Sequence, residues 1–296
     1  VSRQPALIRL SAVVATALAE DLGTGWSVDD DLTSAATVPR DIRATAHFVP
    51  REAGVVAGLD AITETYAQVD PEVTVTRYAG DGDEVVPGET IVTIHGRARS
   101  VLAGERTALN LVTHLSGIAT TTRELVDAVA GTGAIVRDTR KTLPGLRLVQ
   151  KQAVLAGSGA NHRMSLVDEL LVKDNHVAAA GGMATAARGA LSAARGLPVQ
   201  IEVDSLEQLD VVLEAGADRV MLDNFSIEDS VEGVRRCRAT GRKVFVEASG
   251  GITLETIAEI ARTGVDSIAV GALTHSSGAL DIGLDIHLDL PPGGEG

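Results

Sequence analysis

Apolar residues recur at helical spacing over residues 6–22 and stop at Gly23, which predicts a first helix. Asp29-Asp30-Asp31-Leu32-Thr33 follows as a polar loop or a helix cap. The patterns Thr45-Ala46-His47-Phe48-Val49 and Gly54-Val55-Val56-Ala57 predict strands, and residues 58–68 a helix. Between 73 and 94, the runs Val73-Thr74-Val75 and Ile91-Val92-Thr93-Ile94 flank acidic Gly/Pro turns, as in paired strands. Leu102, Leu109 and Val112 mark a helix over 100–112. A second helix is predicted over 116–130, closed by Gly131-Thr132-Gly133.

From residue 134 the pattern turns rhythmic. Short apolar runs at 134–136, 169–172, 199–203, 219–222, 243–246 and 267–270 alternate with helical stretches. The helical stretches begin near Gly145, Gly181, Ser205, Ile227 and Thr253. Such alternation implies a parallel sheet with right-handed crossovers. Six runs fall short of a full (β/α)₈ barrel, so an open or incomplete barrel fits the count.

Composition narrows the function classes. At 296 residues, 45% of them hydrophobic, the chain is globular and long enough for one large domain or two. Aromatics at 2% and a net charge of -14 argue against nucleic acid as the main partner. The single cysteine, Cys237, excludes an intrachain disulfide framework and a thiolate metal cluster; its helix-like surroundings make it a small core hydrophobe. No apolar run is long enough to span a membrane, and Val1–Leu10 lacks the order of a signal peptide, so a cytoplasmic protein is the simple expectation. The turns over 80–89 resemble the hammerhead of lipoyl and biotin carriers. Those need a lysine at the hairpin tip, and none occurs before Lys141, so the segment is read as structural.

The candidate chemistry collects at the ends of the later runs, where barrels carry their active sites. In order these ends deliver Arg140 and Lys141; Lys173-Asp174-Asn175-His176; Glu202 and Asp204; Asp223-Asn224; Glu247 with Ser249-Gly250-Gly251; and Gly271-Ala272. Arg140 and Lys141 pair a planar fork with a point charge, suited to an anion with several charged groups; alone, the stretch fits a solvated basic loop equally well. Lysines are only Lys141, Lys151, Lys173 and Lys243, so those at strand ends carry information. Glu202 and Asp223 are suited to Mg²⁺, to ribose hydroxyls or to a developing cation, and equally to simple ion pairs. The glycines let backbone N–H groups approach an anion. The inventory suits a multiply anionic small substrate together with a sugar phosphate.

These residues resemble a known family. Thr139-Arg140-Lys141-Thr142-Leu143-Pro144-Gly145-Leu146-Arg147, Asn161-His162-Arg163, Lys173-Asp174-Asn175-His176, Glu202-Val203-Asp204, Leu222-Asp223-Asn224-Phe225, Glu247-Ala248-Ser249-Gly250-Gly251-Ile252 and Val270-Gly271-Ala272-Leu273-Thr274-His275 are similar to the motifs of the quinolinate phosphoribosyltransferases, within the type II phosphoribosyltransferases. The likeness runs from about residue 6 to Asp285 and leaves a divergent tail, Pro291–Gly296.

The resemblance implies an N-terminal α/β sandwich domain over 1–116, an incomplete six-stranded α/β barrel over 117–274, and a segment over 275–296 that returns to the first domain and ends in a flexible tail. It implies quinolinate and phosphoribosyl pyrophosphate as substrates, with Mg²⁺ held mainly by the pyrophosphate. Quinolinate would meet Thr139, Arg140, His162, Arg163 and Lys173. The phosphoribosyl group would meet Lys141, Glu202, Asp223, Ser249, Gly250, Gly251, Val270, Gly271, Ala272 and His275. A head-to-tail homodimer would bring Arg106 to the partner's site, and no nucleic acid or membrane partner is implied. Rival readings are nicotinate phosphoribosyltransferase, which needs one carboxylate contact fewer, a Schiff-base barrel aldolase using Lys173, and a non-catalytic metabolite-binding protein.

Overall fold

In the computed structural model, which describes residues 7–289, the apolar and polar pattern sorts into two large sheets of opposite kind and one two-stranded ladder, Gly54–Val55 with Glu84–Val85. The Gly/Pro-rich tail, expected to be flexible, lies outside the described residues. Compactness divides the chain into two units. One comprises Leu7–Thr121, Leu143–Ser158 and the described residues 276–289; the other comprises Thr122–Thr142 and Gly159–His275. The first unit is thus assembled from three stretches of chain, and it includes 143–158, a stretch the motif pattern groups with the barrel.

The first unit opens with α1 (Leu10–Leu22), α2 (Leu32–Thr37), β1 (Arg43–Pro50), β2 (Gly54–Val55) and α3 (Leu59–Val69). It continues with β3 (Thr74–Arg77), β4 (Glu84–Val85), β5 (Val92–Arg97) and α4 (Ala98–Ala128). The acidic stretches turn out to serve helix ends. Asp31 caps α2 by accepting the N–H groups of Thr33 and Ser34, both at 3.1 Å. Asp81, from the carrier-like turn, accepts the N–H groups of Gly58 and Leu59 at 3.0 Å and so caps α3. Each such cap satisfies donors that the first helical turn leaves unpaired.

The predicted break between helices at 113–115 is absent, for α4 runs unbroken through Gly117. That glycine is there for close approach: a Cβ on it would lie 1.8 Å from the carbonyl oxygen of Gly278. The last strand of the chain, Ile282–Leu288, pairs antiparallel with β1. The resulting four-stranded sheet runs last strand–β1–β5–β3, with Ala44, Ala46, Phe48, Val92 and Ile94 buried in one core cluster with α3 residues Leu59, Ile62 and Tyr66.

The second unit carries the rhythmic half: β6 (Ile135–Arg137), β7 (Leu170–Val172), β8 (Val199–Val203), β9 (Arg219–Asp223), β10 (Phe245–Ser249) and β11 (Ser267–Ala269). Counting α5 (Arg147–Ala156) of the first unit, the helices between them are α6 (Asp174–Ala180), α7 (Met183–Ala193), α8 (Leu206–Glu214), α9 (Ile227–Ala239) and α10 (Leu254–Arg262); α11 (Ala272–His275) and β12, the strand Ile282–Leu288 already met, follow β11. The six parallel strands lie in the order β6-β11-β10-β9-β8-β7. Consecutive strands from β7 to β11 are neighbours, and the last pairs with the first, so the sheet curls round as a barrel does. Only the β6–β7 seam lacks a ladder, and a single bridge from Arg137 to Ala160 sits beside it. The mixed α/β class with an incomplete six-stranded barrel is what the rhythm implied.

Two details differ from the pattern. Residues 174–180 form their own helix, separated from α7 by Gly181 (φ 79°) and Gly182 (φ 129°). Its Ala178-Ala179-Ala180 run has helix propensity but no apolar stripe to betray it. Strand β10 is shifted two residues later than the apolar run over 243–246, because its polar residues Glu247 and Ser249 belong to the strand.

Candidate active site

Side chains alternate along a strand, and neighbours at the same level of paired strands share a face. The ladders align Glu202 with Met221, Met221 with Glu247, and Glu247 with Ser267; one level higher, Asp223, Ser249, Ala269 and Arg137 stand side by side. Hydrogen bonds between non-adjacent strands place this face inside the curl. Gln200 on β8 donates to Glu247 on β10 at 2.7 Å, across β9. Val199, Ile201, Val203, Val220, Leu222, Val246 and Ile268 face the other way and are buried.

At the carboxyl ends of the strands this inner face opens into a cavity of about 490 Å³. Thr139, Arg140, Lys141, His162, Arg163, Lys173, Asp223, Ser249, Gly250 and Gly251 all line it, over a partly apolar floor of Leu171, Met221 and Ala269. Stretches distant in sequence are therefore brought together as the strand-end inventory required.

The remaining candidates fall around this set. Glu202 is not on the lining; it is half-buried and ion-paired with Lys173, which is. Gly271 stands directly behind Lys141: a Cβ there would lie 2.9 Å from Lys141 Cδ and 3.4 Å from His275 Nε2. Thr274 Oγ1 donates to the carbonyl of Lys141 at 2.8 Å, and Lys141 N–H donates to Thr139 Oγ1 at 3.0 Å, so the basic loop is held at both faces. Val270 is buried, and Ala272 and His275 are exposed; none of the three lines the cavity. Arg106 is exposed on α4 in the first unit and is also not on the lining.

The electrostatics favour an anion. Burial, and then the charge of Arg140, push the Arg163 guanidinium below its usual value, so the two cations are close enough to repel. Such crowding is relieved when an anion with more than one charged group enters. Arg163 also donates to the carbonyl of Glu169 at 3.0 Å, which fixes its direction.

Beneath the cavity lies a polar layer. Glu247 is wholly buried and accepts from Arg137 at 3.0 Å, Gln200 at 2.7 Å and Ser267 at 2.8 Å, with His162 Nε2 at 3.3 Å. Burial by itself would raise its pKa; His162, Arg137 and Gln200 outweigh burial and bring it down to about 2. The fully buried Asp138 accepts the His162 N–H at 2.8 Å and ties that strand-like stretch to β6. His162 Nδ1 takes the N–H of Arg163 at 2.7 Å, so this ring is built into the wall of the site. Gln200 and Ser267 carry no motif signal; for Gln200 the signal is polar alternation within an otherwise apolar run, Val199-Gln200-Ile201-Glu202-Val203, while Arg137 and Asp138 open the polar stretch that continues into Thr139-Arg140-Lys141.

The comparisons agree with this geometry. The profile of the quinolinate phosphoribosyl transferase N-terminal domain matches residues 31–116, and that of its C-terminal domain matches 118–285. The carboxylating nicotinate-nucleotide pyrophosphorylase of Mycobacterium leprae is 49% identical over 273 residues, covering 91% of this chain and 94% of that protein. A probable enzyme of the same name from Bacillus subtilis is 42% identical over 270 residues, covering 91% and 90%. The solved nicotinate-nucleotide pyrophosphorylase of Francisella tularensis superposes with a TM-score of 0.86 at 39% identity, covering 97% of this chain and 98% of that one.

Proposed function

The chain belongs to the quinolinate phosphoribosyltransferase family, and from that premise we propose how its own residues divide the work. The activity is that of a carboxylating nicotinate-nucleotide pyrophosphorylase, a pentosyltransferase (EC 2.4.2.19). Quinolinate and phosphoribosyl pyrophosphate give nicotinate mononucleotide, pyrophosphate and CO₂, a step of NAD biosynthesis.

The observation that carries the residue assignment is the convergence of Arg140, Lys141, Arg163 and Lys173 on one cavity with Asp223. Arg140, Arg163 and Lys173, with Thr139 and His162 beside them, take the two quinolinate carboxylates. Lys141, Asp223, Glu202 and the loops at Ser249-Gly250-Gly251 and Val270-Gly271-Ala272, with His275 behind, take the phosphoribosyl group. The ring nitrogen's lone pair forms the bond to the ribosyl carbon as the bond to pyrophosphate breaks, and pyrophosphate leaves with the electron pair. Asp223 and Glu202 stabilise the cation-like ribosyl carbon or hold its hydroxyls. Holding both substrates in line supplies much of the acceleration, since effective molarity is worth roughly 7–11 kcal/mol. The bond to the 2-carboxylate then breaks, its electrons are stabilised by the adjacent positive nitrogen, and a proton replaces CO₂.

Mg²⁺ fits as an ion carried mainly by pyrophosphate. Among the described residues no group of three or more His, Cys, Asp or Glu is arranged to hold a metal. When bound it neutralises charge on the leaving group, with Asp223 and Glu202 as its neighbours. The working form is a head-to-tail homodimer in which Arg106 serves the partner's site, and the compartment is the cytoplasm. No helix among the described residues is long and apolar enough to cross a membrane.

The rivals are less well supported. Lys173 stands in an ion pair with Glu202 rather than in the apolar surroundings that free an amine for a Schiff base. The crowded cations exceed what a monocarboxylate needs. Product analysis by mass spectrometry, with quinolinate, phosphoribosyl pyrophosphate and Mg²⁺, tests the assignment: CO₂ equimolar with quinolinate consumed is expected, and equal or better turnover of nicotinate overturns it.

A further inference from the structure

The residue after Asp223 has a conformation that needs a reason. Asn224 has φ 55°, in the left-handed region that side chains other than Asn and Asp rarely enter. Its backbone N–H donates to the carbonyl of Ser249 at 2.8 Å, one residue past the last ladder pair, Ser249 with Asp223. The turn therefore clamps the end of β9 to the end of β10. It also swings the side chain back over the strand end. There Nδ2 donates to Asp223 Oδ2 at 2.9 Å, a charge-assisted bond. On the other side Oδ1 rests against Gly250, where a Cβ would lie only 2.1 Å away. Gly250 is itself at φ 100°, so that position excludes other residues on two independent grounds.

Building on the phosphoribosyl assignment above, we propose that Asn224 is a positioning residue for Asp223. Its amide engages one carboxylate oxygen and turns the other to the ribose, while its oxygen sets the distance between Asp223 and the Gly250-Gly251 loop. One side chain thus fixes the spacing between the group that reads the sugar and the group that reads the phosphate. It acts through Asp223 and Gly250 rather than through quinolinate, whose proposed contacts lie at Arg140, Arg163 and Lys173.

The test is Asn224→Gly, because glycine keeps the left-handed backbone while deleting the amide. Losing a hydrogen bond to a charged group predicts a KM for phosphoribosyl pyrophosphate raised about tenfold. The KM for quinolinate and the melting temperature should stay at the parent's values. Asn224→Asp tolerates the same backbone and fills the same space, but replaces the donor with an acceptor, so the same KM should rise at least as far. A parental KM for phosphoribosyl pyrophosphate in either variant overturns the proposal. So does an equal rise in both KM values with a lowered melting temperature, which marks a merely structural turn. If the parent does not turn over quinolinate, the functional reading falls by itself. Calorimetric titration of phosphoribosyl pyrophosphate with Mg²⁺ into parent and Asn224→Gly then decides: about tenfold weaker binding supports the proposal, and equal binding overturns it.

Discussion

Both large sheets of this protein alternate apolar and polar side chains, yet the polar positions mean opposite things. In the antiparallel sheet, Ala44, Ala46 and Phe48 are buried while Thr45 and His47 are half-exposed on the other face. The polar residues there satisfy one another, as His47 Nδ1 and Thr93 Oγ1 do at 2.9 Å. In the parallel sheet the regular Val, Ile and Leu positions of β8 to β11 face outward, and the polar ones face into the curl beside Met221 and Ala269. A sheet that curls round in this way gives its inner polar residues little water, so each must find a protein partner or a ligand. Alternation thus marks surface in one sheet and chemistry in the other, and topology decides which.

The largest effect is expected where this contrast would break, at a residue of the first unit that is proposed to take part in the chemistry. Arg106 lies on α4, exposed and outside the cavity lining. If it serves the partner's site, Arg106→Ala should lose at least about a hundredfold in activity, the scale of removing one partner of a buried charge pair. Lys173→Ala should also be impaired, by at least about tenfold. Mixed dimers of the two variants hold one doubly damaged site and one intact site, so subunit exchange should restore part of the activity. No recovery on mixing would mean that Arg106 acts within its own chain. Full activity of Arg106→Ala would make it a solvated surface arginine.

Next is the polar layer itself. Glu247→Ala leaves Arg137 buried without its carboxylate, which typically costs about 3–5 kcal/mol. His47→Ala, on the polar face of the other sheet, should stay within about 0.5 kcal/mol. Urea unfolding of both variants measures the contrast, and similar losses would erase it. The acid dependence has a definite sign. The folded Glu247 carboxyl lies near 2, below its ordinary 4.5, so its contribution is full above about 4.5 and is lost as pH falls towards 2. Glu247→Gln should remove that part of the acid sensitivity, visible as a flatter stability profile between pH 4.5 and 2.

How much of this was legible in the sequence follows from what each residue answers to. Arg140, Lys141, Lys173 and Asp223 were legible because they sit at strand ends within recognisable motifs, Arg163 through its motif alone, and all five line one cavity. The six-strand rhythm was legible because outward-facing Val, Ile and Leu keep their period. The unbroken α4 was not, since residues 113–115 read locally as a break between two helices, and the close approach of Gly117 is to Gly278, far along the chain. Glu247 was legible as a strand-end residue but not as a buried one beneath the cavity, and Gln200 was not legible, because a polar residue inside an apolar run has no local partner; theirs lie on other strands. The left-handed turn at Asn224 was hidden too: its sequence names the residue but not the glycine it leans on.

The lysines give the smallest effect and the sharpest control. Lys141 and Lys173 sit at strand ends on the cavity, and sequence alone would offer Lys151 and Lys243 as bystanders. Only Lys243 keeps that role, because it is exposed beyond the opposite end of β10. Lys151 is wholly buried in α5, so its loss acts on folding and says nothing about the site. Removing a charge-assisted contact costs about 1.5–3 kcal/mol, so Lys141→Ala and Lys173→Ala should each lower kcat/KM at least about tenfold. Lys243→Ala should be indistinguishable from the parent. The two active-site lysines should also differ in kind. Lys141 packs on Gly271, in the loop proposed to take the phosphoribosyl group, so its loss should raise the KM for phosphoribosyl pyrophosphate. Lys173 is paired with Glu202, so its loss releases a carboxylate beside an anionic substrate, and the KM for quinolinate should rise instead. Identical KM patterns in the two variants would show that the cations act as one undivided field rather than as two subsites.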